Sequence, residues 1–191
     1  GAGPRPAMVR AIERIRAGIA QLPARPAGTS ADDAARGIMT TDTFAKVAAA
    51  AVAGSDARVV GIAKGVGMIE PDMATMITVL LTDADHDAAA LDAAFRRAVD
   101  RTFNCVSIDT DTSTSDTAVI LASGAAGPVD PGAFETALHD VCLALTKMIA
   151  RAGEGAETLV EVTVDAARDA AQAKRVAKAI VNSPLVKTAV H

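Results

Sequence analysis

With 191 residues, half of them hydrophobic, the chain suffices for one large domain or two small ones around a substantial core. Only 2% of residues are aromatic, with neither Trp nor Tyr, which argues against an aromatic base-stacking surface and leaves the core to Ala, Val, Ile, Leu and Met. A net charge of −4 gives no electrostatic reason for a nucleic-acid or anionic-membrane partner.

In chain order, Met8, Ile12, Ile15 and Ile19 recur at helical steps and predict an amphipathic helix from Pro6 to Leu22. PARPAGTS breaks it, and Ser30 with Asp33 offers a capping-box-like start to a short helix ending at Ile38. RVVGIAKG and ATMITVLLTD read as strands entering and leaving a loop. Leu91, Phe95 and Val99 mark a helix between His86 and Phe103, and Arg96, Arg97 and Arg101 belong to its solvated face. TAVILASG is a further strand closed by a glycine turn. Pro131 opens the clearest helix, with Phe134, Leu138, Val141, Leu145 and Met148 on one face and Gly153 after its end. TLVEVTVDA alternates as a strand does, and Ala166 to Asn182 is again helical. The alternation of strands and helices predicts an α/β layered sandwich, with the helices from Pro131 and from Ala166 covering sheet faces.

Cys105 and Cys142 have no CxxC spacing and read as two buried thiols. His86, His139 and His191 are scattered, so no metal is expected. With no run of membrane-spanning length and no signal-peptide core, the expectation is a soluble cytoplasmic protein.

The stretch KGVGMIEPDMATMITVLLTDAD, from Lys64 to Asp85, carries the most constrained loop. Gly65 and Gly67 open backbone angles closed to other residues, while Pro71 fixes its own φ and pushes Glu70 towards extended geometry. Neither phosphate-loop pattern is present, and spacing alone favours a tight turn between strands. DTDTSTSDT resembles the start of a calcium loop, but Thr114 stands where glycine is needed and Ile120 where the bidentate glutamate belongs. It reads instead as a polar loop whose hydroxyls cap backbone groups or line a site.

Thr75 sits at the junction of the constrained loop and a strand. A threonine exposed as a new N-terminus carries its own base, an α-amino group of pKa about 7.7–8.0. Its hydroxyl would attack the carbonyl of Ala74, whose small side chain leaves that carbonyl open. The residues alone permit this chemistry without selecting it over the turn.

KGVGMIEPDMATMITVLLTDA resembles the self-cleavage motif of the ornithine acetyltransferases, also called bifunctional glutamate N-acetyltransferases. AARGIMTTDTFAK, RTFNCVSIDTDTSTSDT, RAGEGAETLVEVTV and VAKAIVNSPLVKTAV resemble further blocks of that family, in family order, over nearly the whole chain. IEPDMAT and IDTDTSTSDT resemble the paralogues found with clavulanic acid biosynthesis more than the commonest arginine-pathway sequences. The resemblance implies an αββα layered sandwich of N-terminal-nucleophile type with mixed sheets, forming one domain over 1–191. It implies cleavage between Ala74 and Thr75 into 1–74 and 75–191, with Thr75 as nucleophile. Thr40, Lys64, Thr75 and Glu154 fall on substrate-contacting positions. Their plainer readings are a capping hydroxyl, a turn lysine, a strand-start threonine and a helix-end carboxylate.

The implied substrates are N-acetylornithine and glutamate, with no cofactor and no metal, in a homo-oligomer of cleaved α and β chains. The family's Thr-Gly oxyanion pair would lie upstream of Gly1, and a further substrate-contacting region would follow KTAV, so the sequence resembles the middle of the family's protein. Two alternatives stand beside acetyl transfer. One is a catalytically silent binding or assembly domain of the same fold; the other is a self-cleaving amidohydrolase.

Overall fold

The computed structural model describes residues 13, 31–67, 76–109, 115–153 and 155–190. The chain divides into two compact units, Gly1–Ser30 and Ala31–His191. Of the first, only Glu13 is described, in a helical conformation, so the helix expected from Pro6 to Leu22 otherwise lies outside the described residues.

The second unit is built on a four-stranded mixed sheet in the order β1-β2-β3-β4. Helix α1 (Ala31–Ile38) precedes it, with Asp32 and Asp33 in its first turn, where carboxylates favour the dipole. The expected cap, Ser30, lies outside the described residues. Strand β1 (Lys46–Ala51) has the sequence KVAAAA, which no β-type pattern announces. Alanine is the best helix former, yet the segment is extended because β2 (Arg58–Lys64) pairs with it antiparallel from Lys46↔Ala63 to Ala51↔Arg58. A turn at Gly54, φ 75°, joins the two.

β2 then pairs antiparallel with β3 (Ile77–Asp85), Lys64 facing Ile77, so the constrained loop is the connection of a hairpin. β3 runs parallel to β4 (Thr117–Pro128), starting at Ile77↔Thr117. A parallel pair needs a crossover, and α2 (Ala88–Arg101) lies within it. Asp87 caps α2 by accepting from the amides of Ala89 and Ala90, and the helix buries Leu91, Ala94, Phe95 and Ala98.

Helix α3 (Pro131–Arg151) starts at proline behind the cap Asp130 and buries Phe134, Leu138, Val141, Leu145 and Ile149. It packs on β1, β2 and α2. At Gly61 a side-chain Cβ would lie 2.8 Å from Leu145 Cδ1 and 2.9 Å from Val141 Cγ1, so glycine is what admits α3 this close to β2. Val59, Gly61, Ala63, Thr78 and Leu80 alternate onto this covered face, whereas Ile77, Leu81, Val119 and Leu121 remain exposed on the other.

The mixed α/β fold matches expectation, and four details do not. β4 does not close at Gly124 but continues to Pro128. Gly124, φ 71°, belongs to a register shift in which Thr82 pairs with Ala122 and Ala84 with Gly127. TLVEVTVDA forms no strand, since alternation chooses side-chain faces and a strand also needs a ladder partner, and its last residue, Ala166, turns to φ 54°. The helix expected from Ala166 starts instead at Ala170, behind the cap Asp169, as α4 (Ala170–Val181). It buries no residue and packs on α5 (Pro184–Val190) and the α2 end of the crossover rather than on the sheet. Cys105, expected to be buried, is exposed because it ends a single 3₁₀ turn at Phe103–Cys105; Cys142 is buried as expected. Among the described residues no helix is long and apolar enough to cross a membrane.

Candidate functional site

Lys64 ends β2 and shares its sheet face with Ile77, yet its side chain is buried. Its ammonium donates to Thr40 Oγ1 at 2.8 Å, across 24 residues of chain. Thr40 lies in the α1–β1 connection and is exposed, so the hydroxyl brings a buried lysine to the surface. Two positions marked by the resemblance therefore meet.

Both rest on Asp42. Its carboxylate accepts from Lys46 Nζ at 2.6 Å, from the Gly65 amide at 2.8 Å and from the Thr40 amide at 3.3 Å. The Asp42 and Lys46 side chains are fully buried, and the Lys46 ammonium sits 4.9 Å from the Phe44 ring centroid. Burial alone pushes the Asp42 carboxyl up, but the Gly65 amide, Lys46 and the Thr40 amide together outweigh it and hold it below the ordinary value. Gly65 follows at φ 150°, a conformation that residues with a Cβ rarely adopt.

Across the hairpin, the Met76 amide donates to Asp116 Oδ1 at 2.6 Å, and Met76 O accepts from the Thr117 amide at 2.9 Å. Asp116 thus anchors the residue bonded to Thr75. Burial raises its carboxyl above the ordinary value, and the Met76 amide offsets only part of this. Ala74 and Thr75 themselves lie outside the described residues, as does Glu154. Glu154's neighbours are described. Gly155 has φ 71°, and a Cβ on Gly153 would lie 3.1 Å from Ile108 Cγ2. A cavity of about 280 Å³ lies beside this loop, lined by Val106, Ile108, Leu159 and Lys187 among others.

Sequence reasoning does not single out Asp42, Lys46 or Asp116. The signal for the first two is a charged pair four residues apart within MTTDTFAK, just before an apolar run. Asp116 is visible only as one oxygen donor in a polar loop whose spacing fails the calcium pattern.

The chain thus combines a mixed α/β fold with a buried Asp–Lys pair and a Thr–Lys contact at the mouth of a strand–loop–strand hairpin. The chain belongs to the ArgJ family, whose sequence profile matches residues 7–191. It is 59% identical over 180 residues to the arginine biosynthesis bifunctional protein ArgJ 2 of Nostoc sp., covering 94% of this chain and 46% of that protein. It is 65% identical over 167 residues to glutamate N-acetyltransferase Oat2 of Streptomyces clavuligerus, covering 87% of this chain and 42% of the other. The crystal structure of the arginine biosynthesis bifunctional protein argJ from Bacillus halodurans matches with a TM-score of 0.53 at 42% identity, over 55% of this chain and 52% of that one. The chain spans about half the length of the curated relatives it matches.

Proposed function

We propose that the chain carries the nucleophile-bearing part of an acetyltransferase that moves an acetyl group from N-acetylornithine to glutamate. The names of its relatives and its family support the reaction. The observation that carries the reading is the Lys64–Thr40 contact at the mouth of the hairpin whose second strand begins just after Thr75.

In self-cleavage, the Thr75 hydroxyl attacks the Ala74 carbonyl. The C–N bond breaks, the hydroxyl proton passes to the departing Thr75 nitrogen, and an ester forms. Water then hydrolyses the ester, leaving Ala74 as a carboxylate and Thr75 with a free amine and hydroxyl. In transfer, that amine takes the hydroxyl proton as Thr75 attacks the acetyl carbonyl of N-acetylornithine. Ornithine leaves with the proton, and the acetyl group remains on Thr75. The glutamate amine attacks this ester, giving N-acetylglutamate and restoring Thr75.

Lys64 and Thr40 offer an ammonium and a hydroxyl to orient an amino-acid carboxylate, and Glu154 offers a charge to its ammonium group. The assembly is a soluble cytoplasmic homo-oligomer of cleaved α and β chains. Intact-mass analysis tests the reading. The expected result is two masses for 1–74 and 75–191, with one acetyl group gained by the second on incubation with N-acetylornithine. Thr75→Ala abolishes both events, and Thr75→Ser retains some cleavage because the hydroxyl survives. A wild-type chain that stays intact and takes no acetyl group would instead be a catalytically silent domain of this fold.

A further inference from the structure

Thr40, Asp42, Lys46 and Lys64 meet at the β2 end of the hairpin, and Asp42 binds most of what surrounds it. Asp42 binds the Thr40 amide on one side, the Gly65 amide on the other and Lys46 beneath. Lys64 closes the ring by donating to Thr40 Oγ1. The two lysines are not equivalent. Lys46 pairs with Ala63 on the helix-covered face and is fully buried, whereas Lys64 pairs with Ile77 on the opposite face. Only Lys64 reaches the exposed threonine; Lys46 has the carboxylate as its partner.

A buried ion pair is poorly explained by stability, because a well-packed apolar pair of similar volume is commonly as stable or more so. What an apolar pair cannot do is bind the Thr40 amide beside it and the Gly65 amide 23 residues further along the chain. An ionised carboxylate has two oxygens for that task, and the Gly65 amide, Lys46 and the Thr40 amide together favour its ionised form while it is buried.

We propose that Asp42 is a positioning residue for amino-acid binding. It fixes the Thr40 segment against the Lys64–Gly65 turn, so that the hydroxyl and the ammonium stand at one spacing before the carboxylate arrives, and Lys46 is its resident counter-ion. This rests on the assignment of Thr40 and Lys64 to substrate given above. Such preorganisation removes an ordering cost from binding without any contact between Asp42 and the ligand.

The test is calorimetric binding of glutamate to the wild-type chain, to Lys64→Ala and to the double variant Asp42→Leu with Lys46→Met. The double variant removes both charges together, so neither is left buried alone, and its thermal midpoint is measured alongside. Positioning predicts a folded double variant of near wild-type midpoint that binds glutamate about tenfold or more weakly. If that protein does not fold, Asp42→Asn with Lys46→Gln keeps the volumes and carries the same expectation, since a single amide oxygen cannot serve donors on both sides. Binding equal to wild type in the folded double variant, with Lys64→Ala weakened, overturns the positioning role and leaves the substrate assignment standing. Absent wild-type binding, or binding indifferent to Lys64→Ala, overturns the assignment and the inference with it.

Discussion

Helix α3 buries Phe134, Leu138, Val141, Leu145 and Ile149 against the sheet and α2, whereas α4 and α5 bury nothing. The C-terminal pair reaches the rest of its unit through lysines: Lys174 to the Asp100 carboxylate, Lys178 to Val106 O and Lys187 to Ile108 O. Val176, Ile180, Leu185 and Val190 are exposed, and Val181 and Val186 are only half-buried, beside the cavity lined by Val106 and Ile108. One region is held by a large area removed from water, and the other by half-buried side chains and a few lysine donors on acceptors that water would otherwise satisfy. Substitutions should therefore separate the two regions by size of effect.

The largest effect is expected where the sheet region departs from apolar packing. Asp42→Ala leaves Lys46 buried without its counter-ion and should cost about 3–5 kcal/mol, read as a drop in the urea midpoint. Leu145→Ala, at a fully buried position between α3 and Gly61, should cost about 2–5 kcal/mol from lost transfer and the cavity left behind. Gly61→Ala acts from the other side of the same contact. It forces a methyl to within 3 Å of Leu145 and Val141 and should cost about 1–3 kcal/mol. If both Leu145→Ala and Gly61→Ala were neutral, α3 would not be set by that contact.

The α3 region was legible in the sequence because its physics is periodic. The apolar stripe, Pro131 at the first turn and the β-branched runs of β2 and β3 each announce what they do. The site was legible only in part. Lys64 and Thr40 were marked by resemblance, but nothing in MTTDTFAK says that Asp42 folds back to the Gly65 amide, because that contact is made by tertiary structure. β1 failed for a related reason, since its alanines are extended only in the company of β2. α4 misled in the opposite direction. Its amphipathic pattern is real, with an apolar side that the sheet does not cover, and periodicity records a stripe without recording what meets it.

Acid sharpens the contrast between the two carboxylates that flank the hairpin. Asp42 titrates below the ordinary 3.8 in the folded chain, so the unfolded chain takes up its proton first. Its contribution is complete above that value and is lost as pH falls through the folded pKa. Asp116 titrates above 3.8, so its contribution is complete below that value and is lost as pH rises through the folded pKa. Urea midpoints on the two sides of pH 3.8 should therefore respond oppositely when each is replaced by asparagine. With Asp116→Asn the acid-side advantage disappears. With Asp42→Asn the acid-side loss disappears, on top of a lower midpoint at all pH values. A parallel response from both variants would mean that the hairpin's two ends share one electrostatic environment.

The smallest effects belong to the C-terminal helices. Leu185 is 83% exposed, so Leu185→Ser removes almost no buried area and should shift stability by no more than about 0.5 kcal/mol. Lys174→Met removes an ion pair with Asp100 whose carboxylate faces solvent and should cost less than about 1 kcal/mol, diminishing further in high salt. Hydrogen exchange gives the finer reading. Amides of α4 and α5 should exchange faster than those of α3, since no buried side chain couples their opening to unfolding of the sheet. A large loss at Leu185, or α4 amides as protected as those around Leu138, would show that the C-terminal apolar side is covered in solution and that the two regions form one cooperative body.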